Sequence, residues 1–379
     1  MKNTYKSLFM LDSKTTFLNH GSFGACPRPI FESLINWQHK LELDPVKHLA
    51  FDIYDYLENS RNALSKYIHC DKDDLVLFPN PSTALNTVIK SLDLKKDDEI
   101  LSTNHEYGAL DRTWNFISKK TGAKYIKQKI YLPLESKEQF LDSFLSGITK
   151  KTKVIFLSHI TSATGLIFPI EEICKTAREK QIFCIIDGAH APGHIPLNIS
   201  NLNPDIYVGA CHKWMCAPKG VSFLYANKNI QDDIDPLVVS WGYEPEIPGK
   251  TQFLDYHQWQ GTNDLSAYCT LPEVIAFLNE HNWEEKSKIC RENNVIARKL
   301  INNFFNQSAI SHDSFIGQMS SIKIHCNDPL EMQKILYNNY NIQVPLFSWE
   351  NQTFLRISMQ IYNDLEDVEK LINALEKIY

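Results

Sequence analysis

Seven short runs dominate the stretch from Asp73 to Ala226: "DLVLFP", "DEILST", "KYIKQKI", "KVIFLSHI", "FCIIDGA", "DIYVGA" and "VSFLYA". Most are near-continuous in apolar residues rather than alternating. A strand with one wet face alternates; a strand without a polar face has to be covered on both sides. Helix-length segments such as Ser82–Leu92, Gly108–Lys120 and Ile170–Lys180 lie between the runs. The pattern predicts a mainly parallel sheet covered by helices, an α/β layered architecture. After roughly residue 260 the pattern changes. Helical stretches are followed by the strand-like "SSIKIHC" and "FLRISM", with the helical "DPLEMQKILYNN" between them and the amphipathic "DLEDVEKLINALEKIY" at the end. The expected division is a large α/β domain over 16–259 and a smaller α+β domain over 260–379, joined by 1–15. A chain of 379 residues has room for two such units.

Bulk properties remove several classes of function. The formal net charge is −6 and no long basic block occurs, whereas a phosphate backbone needs a basic face. Nucleic acid is therefore not an expected partner. No run approaches the roughly 18 apolar residues of a membrane span, and the N-terminal apolar patch is too short for a secretion signal. Nine cysteines, an odd number without CxxC pairs, read as free thiols in a cytoplasmic protein. No metal-ligand spacing stands out.

Ligands of open α/β sheets bind outside the carboxyl ends of the strands. The segments "FPNPSTALN", "STNHEYGALD", "SHITSATG", "DGAHAPG" and "GACHKW" all sit at such ends and should converge. Within them, Ser82 and Thr83 open a helix, where free N–H groups and hydroxyls suit an anion or simply cap the helix. Asp187 closes a buried run; it can cap the next turn or face a cationic ring nitrogen. Lys213, flanked by His212 and Trp214, can be a snorkelling amine. Equally, burial and neighbouring cations would lower its pKa and make it a Schiff-base lysine. A phosphate site, an acid for a ring nitrogen and a nucleophilic amine together describe a site for pyridoxal phosphate.

The motifs also carry a resemblance. "LNHGSFGACPRP", "NPSTALN", "SHITSATGLIFPI", "DGAHAPGHIPL", "GACHKWMCAPKG", "QGTNDLSAY" and "LRISMQIYN", in this order over roughly residues 17–363, resemble the class V aminotransferase superfamily, closest to its isopenicillin-N-epimerase-like branch. The resemblance implies the fold type I architecture and a homodimer that binds pyridoxal 5'-phosphate at its interface. It implies Lys213 as the Schiff-base lysine and Asp187 as partner of the pyridinium. Ser82, Thr83 and His212 would lie near the phosphate, and Thr262 would reach the phosphate of the neighbouring subunit. His190, Thr161 and Ser162 would approach the ring hydroxyl. Of His105 and Tyr107, Tyr107 is the expected stacking group. Arg356 would clamp the substrate carboxylate, and Asn19 and His20 would face the substrate, although His20 can equally order its own turn.

Two departures matter. Ala210 stands where relatives often carry a donor to the phosphate. The segment "YNNYNIQVPLFSWENQTFLR" lacks the cysteine that a persulfide mechanism needs before the arginine; Cys326 is nearest. The expected function is therefore an enzyme acting at the α-carbon of an L-amino acid, an epimerase or C–S lyase with a slight preference for epimerase. The alternatives are an aminotransferase proper or a non-catalytic nucleotide-binding module, the latter disfavoured because no GxGxxG follows a strand. Trp214, Trp241, Trp259, Tyr256 and His257 read as core or interface, and Cys211 and Cys216 as structural thiols.

Overall fold

The computed structural model describes residues 4–379. All seven apolar runs form strands of one sheet: β1 (Leu75–Phe78), β2 (Glu99–Thr103), β3 (Lys124–Gln128), β4 (Thr152–Ser158), β5 (Phe183–Gly188), β6 (Ile206–Ala210) and β7 (Ser222–Ala226), in the order β1-β7-β6-β5-β4-β2-β3. β7 is antiparallel to both of its neighbours and every other pair is parallel. The carboxyl ends of β1, β2, β4, β5 and β6 therefore share one edge.

The missing alternation has the expected cause. Leu75, Leu77, Ile155, Leu157 and Ile186 enter one hydrophobic cluster. Their neighbours Val76, Phe78, Val154, Phe156 and Ile185 enter a second cluster on the opposite face. β3, at the edge, leaves all of its residues at least partly exposed, in keeping with its lysines and glutamine.

Eight of the helices frame the two larger sheets: α1 (Ile53–Ile68), α2 (Pro81–Ser91), α3 (Gly108–Thr121), α4 (Ile170–Glu179), α5 (Leu271–Glu280), α6 (Trp283–Phe304), α7 (Pro329–Tyr340) and α8 (Leu365–Ile378). α2 buries Ala84, Leu85, Val88 and Ile89 against β6 and β7. Its start is fixed by Asn80, whose side chain accepts from the Thr83 N–H at 2.9 Å, with Pro81 in the first turn. A second, antiparallel sheet follows in the order β9-β10-β8, formed by β8 (Met319–Ile324), β9 (Leu346–Trp349) and β10 (Gln352–Ser358).

Packing does not change character at residue 260. α5 lies against α1, and Leu271, Val274 and Phe277 belong to the cluster that holds Ile53 and Leu57. The separate core of the smaller sheet begins within α6, at Ala297 and Ile301. That core also takes in Leu18, because Thr16–Phe17 pairs in parallel with Ile342–Gln343. The N-terminal segment thus leaves the smaller sheet and crosses towards the strand ends of the larger one.

Candidate active site

Lys213 stands in the turn between β6 and β7, half-buried at the wall of a cavity. Burial lowers its pKa to about 8, with the Asp187 carboxylate opposing and Arg356 reinforcing the shift. Asp187 ends β5, paired in register with Ser158 of β4. It accepts the Ala189 N–H at 2.9 Å, so one oxygen does cap the turn. Burial raises its carboxyl above the usual range, against that hydrogen bond and the charge of Lys213. A protonated ring nitrogen beside Asp187 would restore the charged form.

A cavity of about 240 Å3 joins these groups. Ser82, Tyr107, Ser158, Ser162, Asp187, His190, His212 and Lys213 line it together with Ser22, Phe23, Asn80, Leu110 and Ile160. A larger groove of about 1350 Å3 opens between α1, α5 and α6, but it contains none of the strand-end groups. Chemistry rather than volume identifies the site.

At the α2 end of the cavity, Ser82 faces inward. Thr83 does not line the cavity: its N–H and hydroxyl both go to Asn80 Oδ1, at 2.9 and 3.1 Å. His212 donates from Nδ1 to the Val221 carbonyl at 2.8 Å, which leaves Nε2 as its free nitrogen. Burial holds that imidazole down at about 4, so it is neutral. Ala210 is fully buried and offers no donor.

His105 and Tyr107 separate clearly. His105 is buried, with its ring nitrogens on Thr164 Oγ1 at 2.8 Å and the Ile130 carbonyl at 3.0 Å. Tyr107 precedes α3, lines the cavity and is half exposed. Thr161 lies outside the cavity wall; its hydroxyl accepts the Leu166 N–H at 2.9 Å and orders the loop that presents Ser162.

Arg356, on β10, is buried. Its Nη1 donates to the Ser162 carbonyl at 2.5 Å and its Nη2 to Ser22 Oγ at 2.9 Å. Ser22 Oγ in turn donates to Asn19 Oδ1 at 2.5 Å. Arg356 has no carboxylate partner among the described residues, and its Nε is buried without a partner. Burial lowers its pKa to about 10, which leaves it charged. A buried cation without an anion is costly, and a bound carboxylate would relieve it. Asn19 thus meets the arginine only through Ser22.

The structure places His20 elsewhere than the substrate side. Its Nε2 donates to the Lys213 carbonyl at 3.0 Å and its Nδ1 accepts from the Tyr362 hydroxyl at 2.7 Å. It binds the lysine's backbone from behind the cavity. Gly24, at φ +70°, continues this contact: a Cβ there would come within 2.1 Å of the His212 carbonyl. Thr262 is exposed and away from the cavity of its own chain.

Two groups were not singled out from sequence. Glu106 is buried, its Oε2 accepting the Ser158 N–H at 3.0 Å and the Ser158 hydroxyl at 2.6 Å, its Oε1 meeting the Thr103 hydroxyl at 2.6 Å. Burial raises its carboxyl to about 8, against the Ser158 and Thr103 hydrogen bonds and with help from Asp187. The only signal was an acid beside Tyr107 in "NHEYG". Trp214, read as core, is fully buried, but its indole N–H donates to His190 Nδ1 at 3.2 Å.

These groups fit pyridoxal phosphate: a half-buried amine of lowered pKa, a buried acid for the ring nitrogen, and a helix N-terminus with Ser82 and His212 at the far end. Comparisons agree. The profile of the Aminotransferase class-V family matches residues 37–371. The chain is 30% identical to an isopenicillin N epimerase of Streptomyces clavuligerus, over 97% of this chain and 96% of that one. It is 24% identical to an L-cysteine desulfhydrase of Arabidopsis thaliana, over 95% and 87%. Among solved structures, a cystine C–S lyase in complex with cysteine persulfide superposes with a TM-score of 0.82 at 20% identity, over 96% and 97% of the two chains; a mutant of that lyase has been solved with glycine covalently linked to its PLP cofactor. The chain belongs to the class V aminotransferase family and is a pyridoxal-phosphate-dependent enzyme of the fold type I architecture.

Proposed function

We propose that the enzyme acts at the α-carbon of an L-amino acid and epimerises it, working as a homodimer in the cytoplasm without nucleic-acid or membrane partners. The observation that carries the substrate class is Arg356. It is a buried guanidinium with no internal carboxylate among the described residues, beside the same loop as the Lys213 cavity. A fork of parallel donors matches an α-carboxylate.

In this reading Lys213 carries the cofactor, Asp187 faces the ring nitrogen, His190 and Ser162 face the ring hydroxyl, and Tyr107 covers the ring. Ser82, His212 and Thr262 of the partner subunit hold the phosphate, while Thr83 keeps the Asn80 cap that shapes the start of α2. Pyridoxal phosphate, when bound, supplies an aldehyde that condenses with amines and a ring that accepts the electron pair left by the α-proton. Arg356 orients the substrate. The amine of Lys213, freed by the incoming substrate, removes the α-proton as a general base; a pKa near 8 matches that task. A proton taken from solvent on the opposite face gives the D-form, and the proton held by Lys213 passes to solvent.

A second reading, C–S lyase, is favoured by the desulfhydrase relatives. A persulfide route is disfavoured because no cysteine among the described residues lines the cavity. The test is product analysis in heavy water with L-amino acids and S-substituted cysteines. Deuterated D-amino acid without keto acid is expected. Pyruvate, ammonia and a sulfur fragment from S-substituted cysteines alone would move the assignment to the lyase. An obligatory added keto acid would mean an aminotransferase. No reaction of any α-amino acid, with decarboxylated amines accepted instead, would overturn the role of Arg356.

A further inference from the structure

The side chain next to the lysine decides a proton position. Trp214 is fully buried, and an indole N–H can only donate. Its partner is His190 Nδ1, at 3.2 Å. A ring nitrogen that accepts carries no hydrogen, so neutral His190 holds its proton on Nε2. Nε2 lies 3.0 Å from the amine of Lys213. An N–H pointing at that amine needs a lone pair there, and an ammonium has none. The opposite arrangement, with ammonium donating to Nε2, would put the imidazole hydrogen on Nδ1. There it would face the indole N–H head-on, two buried donors without an acceptor.

The geometry holds this chain in place. Gly193, at φ +77°, lies against the backbone of Trp214, where a Cβ would come within 2.5 Å of its carbonyl. The His194 ring packs 4.0 Å from the indole. We propose that Trp214 is a positioning residue that selects the Nε2–H tautomer of His190 and, through it, the free-base form of Lys213.

Other charges act on the same amine. Asp187, at the end of β5, favours the ammonium, whereas Arg356, from β10, opposes it. His194 and His212 are kept neutral by burial and add no fixed charge. Burial acts most strongly and favours the free base, while the Asp187 and Arg356 charges have opposite signs, so the directional hydrogen bond from His190 adds to the side of the free base. The free base is the form that condenses with an aldehyde and later accepts the α-proton. This consequence rests on Lys213 being the cofactor-bearing lysine; the tautomer does not.

The experiment uses the full chain, freed of cofactor and labelled with 15N-histidine. Long-range proton–nitrogen correlation reads the tautomer of His190, assigned by the signal lost in His190→Gln. At pH 8 the wild type should show Nε2 protonated and Nδ1 bare. Trp214→Phe, which keeps an aromatic ring but loses the N–H, should show mixed tautomers. In that variant, the pH midpoint for trapping pyridoxal phosphate on Lys213 with borohydride, followed by peptide mass spectrometry, should rise by roughly one unit, the size of one hydrogen bond. A wild-type His190 protonated on Nδ1, or an unchanged tautomer and midpoint in Trp214→Phe, overturns the proposal. Should Trp214→Phe not fold, the wild-type spectrum alone decides. Trapping at another lysine with the Nε2–H tautomer intact would instead overturn the assignment of Lys213.

Discussion

Asp187, Glu106 and Arg356 show how burial assigns work to single charges. Asp187 keeps one oxygen for the Ala189 N–H. Asp187→Asn should preserve the fold but no longer hold a ring proton, so α-proton exchange, followed by deuterium incorporation, should fall by several orders of magnitude. Arg356→Lys loses the fork of donors, and the measure is its KM for amino acids, which should rise at least tenfold while cofactor affinity stays unchanged. Glu106 gives a pH prediction. Its folded-state carboxyl lies near 8, above the ordinary value of 4.5. The folded state therefore holds a proton that the unfolded chain has released between these limits. Stability from this group is complete below pH 4.5 and is lost as pH rises towards 8. Glu106→Gln mimics the protonated acid. Thermal melts of the cofactor-free protein should show this variant gaining on the wild type from pH 6 to pH 9. An unchanged gap would mean that Glu106 is ionised throughout. Lys213 and Asp187 were readable as candidates because charges beside apolar runs are rare. Glu106 and Trp214 were not, since an acid in a polar loop and a tryptophan in a core look ordinary until their partners are known.

At the scale of elements, the strand pattern translated directly, because burial on both faces removes alternation and leaves a visible apolar run. The loops translated less well. "LNHGSFG" signals a turn in its two glycines and its polar residues, but not its direction. The segment in fact runs from the smaller sheet, through Leu18, to the back of Lys213, where His20 holds the lysine's carbonyl. Periodicity within one element carries no information about a contact between residues 193 positions apart. The same segment carries Ser22 to Arg356, so the buried guanidinium and the lysine share one support. Gly24→Ala tests that support. A Cβ would collide with the His212 carbonyl, and φ +70° is strained for alanine. The variant should retain the far-ultraviolet circular dichroism of the wild type, while its affinity for pyridoxal phosphate, followed by absorbance titration, falls at least tenfold. Asn80→Ala, by contrast, removes one helix cap and should cost about 1 kcal/mol of stability.

For the whole molecule, the single chain leaves three things unfinished. Tyr107 and Phe23 line the cavity yet are 47% and 72% exposed, so the wall they form is open on its outer side. Trp241 and Ile247, 82% and 88% exposed, border one groove with Tyr54, among charged residues such as Asp55, Glu58 and Lys250. Thr262 lies exposed and serves nothing in its own cavity. A second copy that covers Trp241 and Ile247, closes the outer wall of the cavity and brings Thr262 to the opposite phosphate would account for all three. The consequence is quantitative. Lys213→Ala abolishes the site that its own lysine serves; Thr262→Trp, by bulk, should damage the site of its partner. Each variant alone should be nearly inactive. When the two are mixed and allowed to exchange, random pairing makes half of the dimers mixed, and each mixed dimer holds one intact site, so about a quarter of the wild-type activity should return. Sedimentation should show dimers for both variants. Recovery that never exceeds the sum of the separate variants, or a wild-type monomer active at nanomolar concentration, would exclude a site built from two chains and leave Thr262 a surface residue.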